Sequence, residues 1–335
     1  MSQPAWTEGV VIGKFLPPHA GHLRLIAAAL ARVARLSVIV CARPEDPIPG
    51  PVRRAWLEEL CPTARVLLIE DRYDPHDSRL WAELTVGWLG RAPDVAFTSE
   101  DYGEAWARHM GAAHVLVDRE RRAAPVSGSA VRADPYACWE HLPPPVRAWY
   151  ARRVIVLGAE STGTTTLAEA LAGALGTCWV PEVGRELTAR KWARGETGWT
   201  SPEFLEIARE QGRREDLAAR TAARVVIGDT DALATALWHR RYVGRDEPGL
   251  WALAAARRPD LYLLTGDELP FVQDGLRDGE HVRRDMHQWF LQALREQPVP
   301  WRLLTGPHER RLAEARAALG PLFQASAWRP PGGPP

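Results

Sequence analysis

Two histidines three residues apart, His19 and His22, stand in the run Gly13-Lys14-Phe15-Leu16-Pro17-Pro18-His19-Ala20-Gly21-His22. The apolar segment Val10-Val11-Ile12 precedes the run and reads as a buried strand. The stretch 23–36, rich in Ala, Leu and Arg, follows it with helical spacing. The pair is therefore expected where a strand hands over to a helix. Backbone N–H groups at a helix start are unpaired and the dipole is positive there, which suits a phosphate. Imidazoles add donors that can become cationic, Lys14 adds a point charge, and Gly21 lets a ligand approach the backbone. The plainer alternative is a loop with two solvated histidines.

Two further segments carry the same kind of chemistry. In Val126-Ser127-Gly128-Ser129-Ala130-Val131-Arg132, hydroxyls stand at an expected helix start. Arg132, about one turn on, can form a bidentate pair with a phosphate. Capping is the plainer role for these serines. Gly158-Ala159-Glu160-Ser161-Thr162-Gly163-Thr164-Thr165-Thr166 follows a second apolar run, Arg153–Leu157. That is the setting of a phosphate-cradling loop, with Thr165 placed for Mg²⁺, but Thr164 stands where the loop's lysine belongs. After another apolar run comes Gly228-Asp229-Thr230-Asp231. A strand ending in Asp-x-Asp can supply a Mg²⁺ partner at Asp229 and a carboxylate facing a substrate hydroxyl at Asp231.

The elements that must hold these loops alternate. Strands are expected at Val10–Ile12, Leu36–Cys41, Arg65–Ile69, Val95–Thr98 and His114–Val117, with helices near 20–34, 52–60, 77–89 and 101–110. Leu142-Pro143-Pro144-Pro145 breaks the pattern as a short, stiff connection. Strands then resume at 153–157, 224–227, 261–264 and 301–304, with helices near 164–175, 183–193, 202–222, 231–241, 281–296 and 308–319. The expected fold is α/β, two doubly wound parallel-sheet domains spanning 8–142 and 151–322, followed by a disordered Pro/Gly tail over 323–335. Ligands of such sheets bind at the carboxyl ends of the strands, where all three loops fall.

Composition narrows the function classes. Lys plus Arg and Asp plus Glu number 42 each, so there is no basic footprint for nucleic acid. Lys14 and Lys191 are the only lysines among 335 residues. Cys41, Cys61, Cys138 and Cys178 are widely spaced and read as reduced structural thiols. No signal peptide or membrane-length apolar run is evident, so a cytoplasmic protein binding small-molecule nucleotides is expected, with room for a homo-oligomer.

The first run resembles the Gly-x-Phe-x-Pro-x-His-x-Gly-His signature of the nucleotidyltransferase superfamily. Ser127–Arg132 resembles that superfamily's Ile-Ser-x-Thr-x-x-Arg element, with Ser129 where threonine is usual. Asp46-Pro47-Ile48-Pro49 with Arg53 and Trp56, then 97–103, Trp139-Glu140 and the second half together resemble the NadR-type proteins over nearly all of residues 9–320. That resemblance implies a Rossmann-like nucleotidyltransferase followed by a P-loop kinase-like domain. The first domain would transfer AMP from ATP to nicotinamide mononucleotide (NMN), giving NAD and pyrophosphate with Mg²⁺. His19, His22, Arg132 and Lys14 would be catalytic, Gly13, Phe15, Gly21, Ser127 and Ser129 would bind ATP, and Trp81 and Glu100 would meet the substrate. The second domain would phosphorylate nicotinamide riboside, with Gly158, Gly163, Thr164, Thr165 and Thr166 on ATP and Asp229 catalytic. Glu182, Arg185, Asp231 and Asp274 would lie on the substrate side. Residues 271–277 with Arg283 and Arg284 resemble a lid whose arginines, Arg277 among them, close over ATP phosphates. Loss of the loop lysine predicts a strongly weakened kinase. The best-known NadR regulators carry an amino-terminal DNA-binding helix-turn-helix, for which no room is expected here. Two alternatives remain at this level: a nucleotide-sensing regulator whose second domain does not turn over, or a nucleotidyltransferase for another small phosphate.

Overall fold

The computed structural model describes residues 4–100, 103–120, 122, 124–272 and 280–324. Asp274 and Arg277 of the expected lid lie outside the described residues, as does the tail from Ala325 onward. The chain divides into two compact units between Val146 and Arg147.

The first unit runs β1 (Trp6–Gly13), α1 (Ala20–Leu30), β2 (Val33–Ala42), α2 (Gly50–Leu60), β3 (Arg65–Glu70), α3 (Ser78–Leu89), β4 (Val95–Thr98), α4 (Gly103–Met110), β5 (Ala113–Leu116) and α5 (Gly128–Ala133). Its five strands are parallel in the order β3-β2-β1-β4-β5. Successive side chains on a strand face opposite ways. Val11, Val38 and Phe97 thus pack on one face of the sheet, and their neighbours Val10, Ile39 and Ala96 pack on the other. Burial of both faces explains why these strands read as continuous apolar runs. The chain leaves β1 for β2 and β3 on one side and returns to β4 on the other. That reversal opens the crevice at the carboxyl end of β1, where Gly13–His22 begins.

Helix α6 (Pro144–Tyr150) contains the boundary between the units. The prolines expected to form a stiff connection instead open this helix. Proline suits a first helical turn because the missing N–H has no intrahelical partner there.

The second unit runs β6 (Arg152–Leu157), α7 (Thr164–Leu175), β7 (Trp179–Val180), α8 (Val183–Trp192), α9 (Ser201–Ala219), β8 (Val225–Asp229), α10 (Ala232–Val243), α11 (Pro248–Ala256), β9 (Leu261–Thr265), α12 (Arg283–Glu296), β10 (Trp301–Leu304) and α13 (His308–Leu319). The parallel order is β10-β9-β6-β8-β7. Again one face takes Ile155, Leu157, Tyr262 and Leu264, and the other takes Val154, Val156, Leu261 and Leu263. Strand β7 and helix α11 are absent from the sequence reading. Two residues give no period to detect, and α11 is apolar around its whole circumference in sequence. Phe323, expected in the tail, closes a short 3₁₀ turn and packs against the core. Ordered structure therefore extends past the expected boundary.

Candidate active sites

In the first unit, Gly13 ends β1, and Phe15 turns the chain with a positive φ of 46° before the cis Leu16–Pro17 bond. His19 is the N-cap of α1 without capping it through its side chain. Its imidazole stacks on that of His22 at 3.8 Å between ring centres, with 29° between planes. The buried Phe15 ring meets the His22 ring edge-on at 4.9 Å and fixes its orientation. Gly21 faces the His19 ring, and a Cβ there would lie 3.1 Å from Cε1. A side chain at this position would therefore press on the histidine as well as on a ligand.

The loop is held from two directions. Arg132 donates from Nη1 to the Leu16 carbonyl. Gly128 passes so close to the same carbonyl that an added Cβ would sit 2.7 Å from its oxygen. Ser127 caps α5 by accepting from Ala130 N at 3.1 Å, and its hydroxyl lies 3.0 Å from that of Ser129. On the other side, the fully buried Arg53 of α2 donates to the Lys14 carbonyl at 2.5 Å, the Cys41 carbonyl at 3.2 Å and Asp46 at 2.6 Å. Burial pulls this guanidinium below its ordinary pKa and Asp46 pulls it back up. The Lys14 ammonium is exposed and lies 4.0 Å from Asp71.

In the second unit, Gly158–Thr165 joins β6 to α7, and Gly163 caps α7 from the left-handed region. Gly158 is required by proximity, since a Cβ would fall 2.2 Å from the Thr265 hydroxyl. Thr162 bonds Ala159 O and the Thr265 hydroxyl, each at 2.7 Å. The buried Arg311 supports the loop from behind, donating to Thr162 O at 2.6 Å. Thr165 donates to Asp229 Oδ2 at 2.6 Å. Asp229 Oδ1 is buried and makes no hydrogen bond of normal geometry among the described residues. Burial pushes the Asp229 carboxyl up, while the Thr165 and Thr164 hydroxyls and Arg185 pull it down.

A buried carboxylate oxygen with open lone pairs beside a threonine hydroxyl fits a hard divalent cation. Mg²⁺ takes few protein ligands and leaves its remaining positions to water and phosphate. No cluster of three or more His, Cys, Asp or Glu able to hold a metal occurs among the described residues. That is compatible with such sparse ligation.

The cleft beside this loop is lined by Thr164, Thr165, Thr166, Glu160, Glu182, Arg185, Trp199, Phe204, Trp238 and Tyr242, among others. Burial, reinforced by Asp229, pushes the Glu182 carboxyl up to about 8. The aromatic rings form a connected wall, with Trp199 5.2 Å from Phe204 and 5.9 Å from Tyr242, and Trp238 6.3 Å from Tyr242.

Residues 153–311 match the AAA domain family. The trifunctional NAD biosynthesis/regulator protein NadR of Escherichia coli K12 is 31% identical over 315 residues, covering 87% of this chain and 77% of that protein. The chain belongs to the NadR family. The Salmonella typhimurium NadR is likewise 31% identical over 304 residues, covering 84% and 74% of the respective chains. Two crystal structures share the fold at 20% identity. A NadR protein in complex with NR has a TM-score of 0.77, with 95% of this chain and 96% of that chain covered. A NadR protein in complex with NAD and AMP-PNP has a TM-score of 0.74, with 94% and 95% covered.

Within this NadR-family fold, the predicted residues separate into those that converge and those that do not. Gly13, Phe15, His19, Gly21, His22 and Arg132 meet around the Leu16 carbonyl and the stacked imidazoles, and Gly128, not foreseen as a site residue, packs against the same carbonyl. Gly158, Gly163, Thr164, Thr165, Thr166, Glu182 and Arg185 line the second cleft. Asp231 departs from the expectation of a carboxylate facing substrate. It is buried as the N-cap of α10, accepting from Ala234 N at 3.0 Å and from the Tyr262 hydroxyl at 2.7 Å. Two residues beyond Asp229, it lies past the end of β8, where the next helix claims its side chain. Trp81 packs with Tyr73 and Trp88, and its indole N–H donates to Asp74 O at 2.8 Å. Glu100 is exposed, and its carbonyl accepts from the Thr98 hydroxyl at 3.0 Å. Lys191 is buried on α8, paired with Glu203 and 4.7 Å from the Trp199 ring centre, so it is engaged away from Thr164.

Sequence reasoning missed Arg53 as a loop support and missed the aromatic wall. The i, i+4 spacing of Trp238 and Tyr242 on α10 was the available signal. It also missed Arg241, which pairs with Glu160 at 2.9 Å. No described helix is long and apolar enough to cross a membrane.

Proposed function

We propose that the protein acts in NAD synthesis. Its first unit transfers AMP from ATP to NMN, releasing pyrophosphate. Its second unit is a kinase-type site for ATP and nicotinamide riboside. The observation that carries the first assignment is the meeting of the His19–His22 stack with Arg132 at the Leu16 carbonyl. Three groups able to donate to phosphate oxygens converge at the carboxyl end of the central strand.

In the first reaction an NMN phosphate oxygen attacks the α-phosphorus of ATP. The new P–O bond forms as the α–β bridging bond breaks, and pyrophosphate leaves with the electron pair. No covalent protein intermediate is needed, so catalysis consists of positioning and charge stabilisation. His19 and His22 are held by the stack and by Phe15. Arg132 is held by its bond to Leu16 O. Each therefore meets the developing charge without reorganising.

In the second unit the riboside hydroxyl attacks the γ-phosphorus, its bond to the β–γ bridging oxygen breaks, and ADP departs. Thr165 and Asp229 would hold Mg²⁺, which when bound neutralises phosphate charge. Glu182, with its raised pKa, is the carboxylate suited to take the hydroxyl proton. The aromatic wall offers π faces to a flat, positively charged ring. The NadR crystal structures with NR and with NAD and AMP-PNP support this choice of ligands.

A second reading, a non-catalytic nucleotide sensor in the second unit, is favoured by Thr164. One experiment separates the readings. Purified protein is given NMN plus Mg·ATP, or nicotinamide riboside plus Mg·ATP, and NAD, NMN and ADP are quantified. NAD from NMN is expected, and its absence overturns the first assignment. ADP and NMN formed from the riboside support the kinase, and their absence favours the sensor.

A further inference from the structure

Away from the histidine loop, the first unit holds a second cavity. It lies at the amino end of the sheet, where β1, β2 and β3 begin, and has a volume of about 490 Å³. That volume suits a small molecule. The histidine loop leaves the other end of β1. From Gly9 to Gly13 the strand rises about 13 Å, so the cavity and the loop are separate places.

Side-chain alternation gathers the cavity's polar groups on one face of the sheet. Val10, Ile39, Leu67 and Ile69 pack on the face covered by α3 and α4. Glu8, Arg35, Ser37 and Arg65 stand an even number of residues from them on the same strands and project from that face. Glu8 is level with Arg35 on the neighbouring strand, and Ser37 is level with Arg65 on the next. Arg91 follows the end of α3 and pairs with Glu8, as Arg35 does. One carboxylate therefore serves two guanidiniums. Arg65 makes no ion pair or side-chain hydrogen bond among the described residues. Asp94 is no part of the lining, and its carboxylate accepts from Thr7 N at 3.0 Å and Glu8 N at 2.8 Å. The described lining thus carries three cations against one anion. Ser37 lines the same cavity at 6% exposure, and its hydroxyl makes no hydrogen bond among the described residues. A hydroxyl so deeply placed is stabilised by gaining an acceptor.

We propose that this cavity is a binding site for a small organic phosphate, separate from the histidine-loop site. The phosphate lies among Arg35, Arg65 and Arg91 and accepts from the Ser37 hydroxyl. A guanidinium carries five donors, so Arg35 and Arg91 can hold Glu8 and a phosphate oxygen together. Glu8 draws those two side chains together before the ligand arrives, which lowers the entropy cost of binding. Ala34, Leu89, Ala92 and Pro93 offer an apolar wall to the rest of the molecule. No aromatic ring stands in the described lining to stack on a base, so a small phosphate ester fits better than a nucleotide.

The test is calorimetric titration of the full chain with glycerol phosphate, with inorganic phosphate and glycerol as parallel arms. Glycerol phosphate is expected to bind, and glycerol is not. Arg65→Gln is expected to weaken binding about 10- to 100-fold, the worth of a charge-assisted hydrogen bond. Ser37→Val, which keeps the shape of a strand residue, is expected to weaken it about 5-fold. His19→Ala should leave it unchanged. Thermal denaturation of the ligand-free variants should match the wild type. Absence of binding, or binding that neither Arg65→Gln nor Ser37→Val weakens, overturns the proposal. So does loss of binding in His19→Ala, which would place the phosphate at the histidine loop. Inorganic phosphate bound as tightly as the ester overturns the assignment to an organic ligand.

Discussion

Arg132 Nη1 donates to the carbonyl of Leu16, a residue 116 positions away in sequence. This bond joins the histidine loop at the start of the first sheet to the serine loop near its end. The guanidinium keeps further donors with which to meet a phosphate. Arg132→Lys is expected to lower kcat for NAD formation about 10²–10³-fold, since an ammonium cannot serve the carbonyl and a phosphate in the same geometry. Steady-state kinetics with NMN and Mg·ATP check this, and a variant of near wild-type kcat would remove Arg132 from the machinery.

Gly128 and Leu16 make the second joint between the same two loops. With a Cβ only 2.7 Å from Leu16 O, Gly128→Ala must push backbone against backbone. We expect about 1–3 kcal/mol of destabilisation, the usual cost of overpacking. It should be visible as a lower denaturation midpoint of the first unit, together with reduced NAD formation.

Arg53 has no exposure and holds the Lys14 carbonyl, the Cys41 carbonyl and Asp46. Arg53→Met leaves Asp46 with its charge partner removed and two carbonyls without their donor. A loss of about 3–5 kcal/mol is expected, as for breaking one side of a buried pair. Urea denaturation measures it. A variant as stable as wild type would show that α2 does not anchor the loop.

Glu182 sets a pH dependence whose sign can be worked out. Burial and Asp229 raise its pKa from 4.5 in the unfolded chain to about 8 in the fold. Between those values the folded state binds more protons than the unfolded state, so this group's contribution to stability falls as pH rises. Glu182→Gln is expected to flatten the decline in the denaturation midpoint of nucleotide-free protein between about pH 4.5 and 8. In the wild type, riboside phosphorylation should increase through about pH 8 as the carboxylate becomes available as a base. A phosphorylation rate independent of pH in that range would exclude it from the base role.

Much of the fold is legible in the sequence because both faces of each sheet are buried. Val95–Thr98, 164–175, 301–304 and 308–319 match their expected limits, and each other expected strand or helix is present within a few residues. The elements not foreseen are short or lack a period. Strand β7 has two residues, held by pairing to Ile227 and Gly228, which is information from another strand. The proline run opens a helix where a break was expected, because proline forbids continuation and permits initiation.

The order of apolar runs and the spacing of His19, His22, Thr164 and Thr165 follow from sequence alone, since strand-to-helix loops are local and their chemistry is carried by consecutive residues. Tertiary structure decided which distant side chains serve those loops. Arg53 and Arg132 reach the first loop from other elements. Asp231 is drawn into capping α10 and bonding Tyr262. Lys191, a candidate replacement for the missing loop lysine by composition alone, is tied to Glu203, while Arg185 lines the cleft. Charge can be counted along a chain, but whether it faces a ligand or a neighbouring carboxylate depends on contacts that only the packed fold creates.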